Sequence, residues 1–88
     1  MRFDAAYCIK EGSVCRYKRA VLIVEGNEYI IKFALKTLDT LNACHTVAKR
    51  IPNYMMIYKG IKFTDGEKSY NLYFSADVAE KLYSFLSI

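Results

Sequence analysis

The sequence predicts an α+β domain: an antiparallel sheet of about five strands with two helices on one face, in the order βββαββα. Three observations predict this class. Apolar and polar residues alternate through the first third of the chain, as in half-buried strands. Between residues 37 and 51 apolar residues recur every three or four positions, which favours a helix. Residues 54–75 then alternate again around an Asp-Gly pair, which is typical of a hairpin, and a second amphipathic stretch follows.

The first two strands are predicted from RFDAAYCI near the N-terminus and from residues 14–24, with a turn at Glu11 and Gly12 between them. With these two residues as the loop, the predicted cross-strand pairs are Asp4 with Arg19 and Cys8 with Cys15. An opposite-charge pair across two strands supports such a register. The second strand ends apolar on both faces, as a central strand does.

The third strand and the first helix follow the turn EGNE. Tyr29, Ile31 and Phe33 supply the inward face of the strand. Thr37 is the predicted N-cap of the helix, and Pro52 ends it. Its apolar stripe is Leu38, Leu41, Cys44, Ala48 and Ile51.

The last hairpin is predicted around Asp65 and Gly66. With these two residues as the loop, the predicted pairs are Ile61 with Tyr70, Ile57 with Phe74, and Tyr58 with Tyr73. Ser75 caps the final helix, whose predicted stripe is Val78, Leu82, Phe85 and Leu86. Because EGNEYIIKFA and DGEKSYNLYFS share a turn and a strand pattern, we also expect a degenerate ββα repeat.

The length of 88 residues predicts a single domain spanning residues 1–88, because a second domain would be too small to bury its own core. The longest apolar run, from Ala20 to Val24, is far shorter than the roughly 18–20 residues that span a bilayer. The N-terminus lacks a signal-peptide pattern. Three cysteines, without repeating spacing, do not suggest a disulfide scaffold. We therefore expect a cytoplasmic protein with no membrane association.

No residue pattern predicts catalysis, a metal or another cofactor. His45 and Cys44 lie about 100 degrees apart on a helix, so they do not face one target as base and nucleophile. The spacing of Cys8 and Cys15 lacks the short form of common zinc sites. The acidic residues form no inward-facing pair, and no glycine-rich phosphate-binding motif is present. The sequence thus predicts a non-enzymatic protein.

The charge and the aromatic residues favour a nucleic acid as the partner. The formal net charge is +4, and the excess lies in residues 1–50, which hold nine basic and five acidic side chains. On the sheet face away from the helices, cations would alternate with rings on which bases stack. The predicted nucleic-acid-binding residues are Arg16, Lys18, Arg19, Lys32, Tyr58, Lys62 and Tyr73. The face that Arg16 and Lys18 occupy stays open at this point, because a bulge near Arg19 would flip both relative to the apolar end of the strand.

A second hypothesis uses the same face to bind a protein. Val21, Ile23, Ile30 and Met56 would form an apolar patch with a charged rim, as protein interfaces do. The partner would then be a host or other protein, with this chain as an inhibitor or accessory subunit of the kind that viruses and mobile elements encode. A homodimer formed through the patch is compatible with both hypotheses. Tyrosine and lysine are also common in strands for structural and solubility reasons alone.

Overall fold

The computed structural model describes residues 1–11, 14–33, 36–54 and 57–88, which form seven strands and one helix. The strands are β1 (Arg2–Glu11), β2 (Val14–Glu25), β3 (Glu28–Phe33), β4 (Lys36–Asn42), β5 (Val47–Tyr54), β6 (Tyr58–Asp65) and β7 (Lys68–Ser75). The helix α1 (Ala76–Leu86) follows β7. All strands belong to one sheet with the order β4-β3-β2-β1-β7-β6-β5.

The sheet curls into a half-barrel because its two edge strands are consecutive in the chain. The segment from Asn42 to Val47 joins β4 to β5 and reaches at most about 18 Å when fully extended. The edges of a flat seven-stranded sheet would lie about 29 Å apart, at about 4.8 Å per strand. The sheet must therefore bend until the two edges approach each other.

The predicted fold with five strands and two helices is wrong, because residues 37–51 form β4, a turn and β5 instead of a helix. Leu38 and Leu41 would share one face of a helix, yet Leu41 is fully buried and Leu38 is 40% exposed. Such alternation belongs to a strand. Threonine, valine and isoleucine, which favour strands, recur in this segment. The ββα repeat is therefore wrong too, since β4 follows β3.

Pro52 does not end a helix but lies in β5, an edge strand. A proline has no N–H to donate to a neighbouring strand, so an edge is where a sheet tolerates it. The turn before β5 is organised by Asn42, whose side-chain oxygen accepts a bond from the Cys44 N–H at 2.9 Å, and whose carbonyl accepts one from the Thr46 hydroxyl at 2.6 Å. Such local bonds favour turns over helices.

The predicted registers of the two hairpins are each wrong by two residues. Asp4 pairs with Val21, and Ala6 pairs with Arg19. Cys8 pairs with Tyr17, so it does not lie opposite Cys15. In the β6–β7 hairpin, Ile61 pairs with Leu72, Gly60 with Tyr73, Tyr58 with Ser75 and Lys59 with Phe74.

The second register differs because the turn is formed by Gly66 and Glu67, between the paired residues Asp65 and Lys68. Gly66 has a φ of 62°, a backbone conformation that glycine adopts without steric cost. A shift of two residues leaves each side chain on its predicted face, because side chains alternate with a period of two.

The core fills the inner face of the half-barrel. Its fully buried members come from β2, β3, β4, β6, β7 and α1: Leu22, Ile31, Leu41, Ile61, Phe63, Leu72, Phe74, Ala79 and Leu82. Tyr29 of β3 contacts Phe63 of β6 with ring centroids 5.7 Å apart, although three strands separate β3 from β6 in the sheet. This contact crosses the interior, so the curl is what brings the core together.

The helix α1 is where the sequence predicts it, with Ser75 at the N-cap position and Asp77 in its first turn. Ser75 makes no side-chain capping bond. The buried stripe is Ala79, Leu82 and Tyr83, whereas Phe85 is 49% exposed. Arg50 of β5 holds the helix end: its guanidinium lies 3.8 Å from the Tyr83 ring centroid and donates to the Ile88 carbonyl at 2.7 Å.

Polar contacts tie β4 to the β6–β7 hairpin across the opening of the half-barrel. The Asp39 carboxylate accepts bonds from the Tyr70 hydroxyl at 2.6 Å and from the Lys68 ammonium at 3.2 Å. Burial acts to raise the pKa of Asp39, but these donors and the Thr40 N–H outweigh burial and lower it. Burial and the same carboxylate raise the pKa of Tyr70 to about 12. The Asn42 N–H also donates to Asp65 at 3.1 Å.

We predict that Asp39→Asn lowers the free energy of unfolding at pH 7 by about 1–2 kcal/mol, because it weakens bonds to a charged acceptor. The lowered pKa of Asp39 in the folded state fixes the sign of the pH dependence. The stabilisation is present above the pKa of unfolded aspartate and is lost as the pH falls through the lower folded value.

Urea unfolding of both proteins between pH 7 and strongly acidic pH measures this effect. The stability difference should be largest at pH 7 and shrink on acidification. Tyr70→Phe, which removes one donor and keeps the ring, should lower stability at pH 7 by less than Asp39→Asn does. Equal stability of Asp39→Asn and the parent at pH 7 would contradict the role of this cluster.

Candidate nucleic-acid interface

A groove of about 840 Å³ lies beside the junction of β1 and β7. The ladder between these strands contains Ala6 paired with Tyr73 and Tyr7 paired with Leu72. Arg2 and Asp4 line the groove from β1, beyond one end of this ladder, and Ser75 lines it from β7. The groove therefore lies beside the pair of neighbouring strands that shares the fewest paired residues. Its volume falls within the roughly 300–1,000 Å³ typical of ligand pockets.

The groove carries more positive than negative charge. Arg2, Lys18 and Arg19 line it, together with one carboxylate, Asp4. All four residues are exposed, so their charges face solvent. Three cations around one concave surface attract an anionic chain more strongly than the same charges spread over a flat surface.

Three aromatic rings, those of Phe33, Tyr58 and Tyr73, line the same groove. Tyr58 is 38% exposed, whereas Phe33 and Tyr73 are half-buried. The remaining lining residues are small or apolar: Ala5, Ala6, Ala20, Val21, Ser75 and Val78. The groove thus combines cations with rings of different accessibility and leaves room between them.

Close packing fixes the position of the Tyr73 ring. Its neighbour across the strands is Gly60. A β-carbon at Gly60 would lie 2.5 Å from Cγ1 of Ile51 and 2.9 Å from Cε1 of Tyr73, so both side chains occupy the space that the glycine leaves open. Tyr17 meets the ring edge-on at 5.3 Å between centroids. Burial, and then the neighbouring Tyr17, raise the pKa of the Tyr73 hydroxyl.

The structure brings some of the sequence-predicted binding residues together and separates others. Lys18, Arg19, Tyr58 and Tyr73 line the groove, as does Val21 of the predicted apolar patch. Arg16 does not line it. Lys32, Lys62, Ile23 and Ile30 lie outside the groove on the outer face of the sheet, opposite the core. Met56 lies outside the described residues.

The basic cluster of β2 is divided between the two faces of the sheet. Arg19 pairs with Ala6 in the row of Tyr73 on the outer face. Arg16 and Lys18 have the opposite parity, which is that of Leu22 in the core. The Lys18 ammonium lies 5.9 Å from the Phe33 ring centroid, within the range of a cation–π contact. Lys18 and Arg19 nevertheless both reach the groove.

Sequence reasoning missed Arg2, Asp4 and Phe33 as lining residues. The alternation in β1 was a usable signal, because Phe3, Ala5 and Tyr7 pack against the core and the residues between them must then face outward. Phe33 has the inward parity of Ile31, as the alternation predicts, and it lines the groove from the end of β3.

Within the parts of the chain that the structure describes, no three His, Cys, Asp or Glu side chains are grouped so as to hold a metal ion. Across the same residues no helix is long and apolar enough to cross a membrane. No family model matches the chain, and no curated protein or solved structure matches it either.

We predict that Gly60→Ala destabilises the protein by about 1–3 kcal/mol, the usual cost of overpacking. The added β-carbon would lie 2.5 Å from Cγ1 of Ile51, so this β-branched side chain, which is stiff at χ1, must leave its rotamer or the strands must shift. Thermal or urea unfolding measures the cost. In an Ile51→Ala background, Gly60→Ala should be tolerated better, because the shorter of the two close contacts is then removed and only the one to Tyr73 remains. An equal cost in both backgrounds would contradict this packing.

Proposed function

We propose that this protein is a non-enzymatic module that binds single-stranded nucleic acid in the groove beside β1 and β7. The observation that supports the proposal is the convergence of three cations and three aromatic rings on one concave surface. Cations neutralise the phosphate backbone, and rings stack on bases irrespective of sequence. The chemistry favours a single strand because a duplex hides the faces of its bases.

Each group has a role in this proposal. Arg2, Lys18 and Arg19 contact phosphates, and Asp4 limits how closely they approach. Tyr73 is the fixed stacking platform because packing holds its ring. Tyr58, which is more exposed, stacks on a neighbouring base. A ring held in place before binding loses less conformational freedom, which favours affinity.

We also propose a cytoplasmic location, since an odd number of cysteines without repeating spacing fits a reducing compartment.

Fluorescence anisotropy with a labelled twelve-nucleotide oligothymidylate tests the proposal. We expect affinity to fall steeply between 50 and 200 mM salt, because binding releases counterions, and duplex of the same length to bind more weakly. Lys18→Ala should weaken binding, whereas Lys81→Ala, which removes an exposed lysine of α1 outside the groove, should not.

Tyr58→Ala should cost about 1–3 kcal/mol of binding free energy, the usual contribution of one stacked base. Tyr58→Phe keeps the ring and should bind like the parent. Salt-independent affinity, or equal effects of Lys18→Ala and Lys81→Ala, would reject binding in this groove.

Binding of a partner protein is a second candidate function, and the pairing of Ile23 with Ile30 on the outer face favours it. Both residues are half-buried, and Val21 lies on the same face. We predict that Val21→Asp and Ile30→Asp disrupt a stoichiometric protein complex that survives nuclease, as seen by size-exclusion chromatography with mass measurement. A nuclease-resistant complex that persists in both variants would reject this surface. A homodimer through the patch is the simplest such complex.

A further inference from the structure

Two lysines pair directly across neighbouring strands on the outer face of the sheet. Lys49 of β5 is the cross-strand partner of Lys62 of β6, and both are exposed. Directly opposite side chains have β-carbons about 4.5–5.5 Å apart, and like charges at such positions destabilise a sheet. Such a lysine pair therefore lowers the stability of the sheet unless a bound anion neutralises the two charges.

The neighbouring positions on this face provide no carboxylate. Asn71 is the partner of Lys62 on β7. The positions two residues away along β5 and β6 hold Val47, Ile51, Gly60 and Thr64. Among the described residues, neither lysine takes part in an ion pair. Both ammonium groups thus remain available to a ligand, with the Asn71 amide beside them as a further hydrogen-bonding group.

Protection of the sheet edge does not account for the pair. A lysine on an edge strand discourages pairing with another molecule, and this explains Lys49 alone. Lys62 lies on β6, which has a strand on both sides. By contrast, two nearby cations on the inner side have partners within the protein: Arg50 stacks on Tyr83, and Lys59 bonds to Glu80 at 2.9 Å.

We infer that Lys49 and Lys62 form a second phosphate-binding point, which extends the groove along the outer face. Lys62 lies two residues along β6 from Gly60, the partner of Tyr73, a distance of about 7 Å. A strand with one base stacked on Tyr73 therefore passes over both ammonium groups as it leaves the groove. This path rests on the proposed function, whereas the anion site itself rests on the lysine pair alone.

The test compares labelled oligothymidylates of four and twelve nucleotides on the full chain. The double variant Lys49→Ala/Lys62→Ala should bind the twelve-nucleotide probe at least fivefold more weakly and the four-nucleotide probe like the parent. Its salt dependence for the longer probe should decrease by about 1.4 in log–log slope, since two phosphate contacts are lost. Lys81→Glu is the control, because it changes the net charge by the same two units away from this site.

The stability of the double variant separates a binding role from a structural one. Removing the repulsion should leave its melting temperature equal to or above that of the parent. A clearly lower melting temperature would show that the pair contributes to folding and would count against the inference. If the double variant binds the longer probe as Lys81→Glu does, the inference is overturned, while the groove stands as long as Lys18→Ala still weakens binding.

Inorganic tripolyphosphate provides a readout that does not depend on nucleic acid. In a two-dimensional amide NMR spectrum, we expect it to shift the signals of residues 49, 62 and 71. If neither oligonucleotide binds the parent, the proposed function fails, and shifts at these three residues would still support the anion site. If neither oligonucleotide binds and tripolyphosphate causes no shifts at these residues, both the proposed function and the anion site are overturned.

Discussion

The short connection between the two edge strands is the constraint on which the rest of the structure depends. A chain segment of about 18 Å at most joins edges that a flat sheet would hold about 29 Å apart. The sheet therefore curls, and the curl encloses Leu22, Phe63 and their neighbours on one face. The bonds of Asp39 to Tyr70 and Lys68 then hold the opening from the other side.

The same curl determines where a ligand has access. The inner face is occupied by apolar side chains and by α1, so only the outer face and the rim of the half-barrel remain open. The groove forms at the rim, beside a ladder of two residue pairs between β1 and β7. A longer ladder would close the sheet here and remove the groove. The shortest ladder between neighbouring strands thus lies beside the groove.

Six cations among the described residues fall into two groups with different surroundings. Arg50, Lys59 and Lys68 contact a ring, a carbonyl or a carboxylate of the protein itself, and they hold α1 or β4 in place. Arg2, Lys18 and Arg19 line the groove instead. Net charge alone does not distinguish these groups. What distinguishes them is that Arg50, Lys59 and Lys68 donate to a carbonyl or carboxylate of the protein, whereas among the described residues the three groove cations make no such bond.

Local sequence patterns determined the elements whose period was unambiguous. The alternation in β1, β2, β3, β6 and β7, the glycine turns and the amphipathic α1 were all predictable, because side-chain direction in a strand or helix depends on neighbouring residues. For the same reason the outward face of Tyr58, Lys62 and Tyr73 was correct even though the hairpin register was not. A two-residue slip keeps the face and changes only the partner.

Tertiary structure decided everything that depends on which segments meet. The apolar residues of the segment 37–51 satisfy a helical spacing, yet the segment forms strands because Leu41 is buried in a core that distant strands provide. The groove unites Arg2 with Tyr58 and Tyr73, residues far apart in the chain. No local pattern encodes that meeting, since the curl of the whole sheet and the single junction of β1 with β7 bring it about.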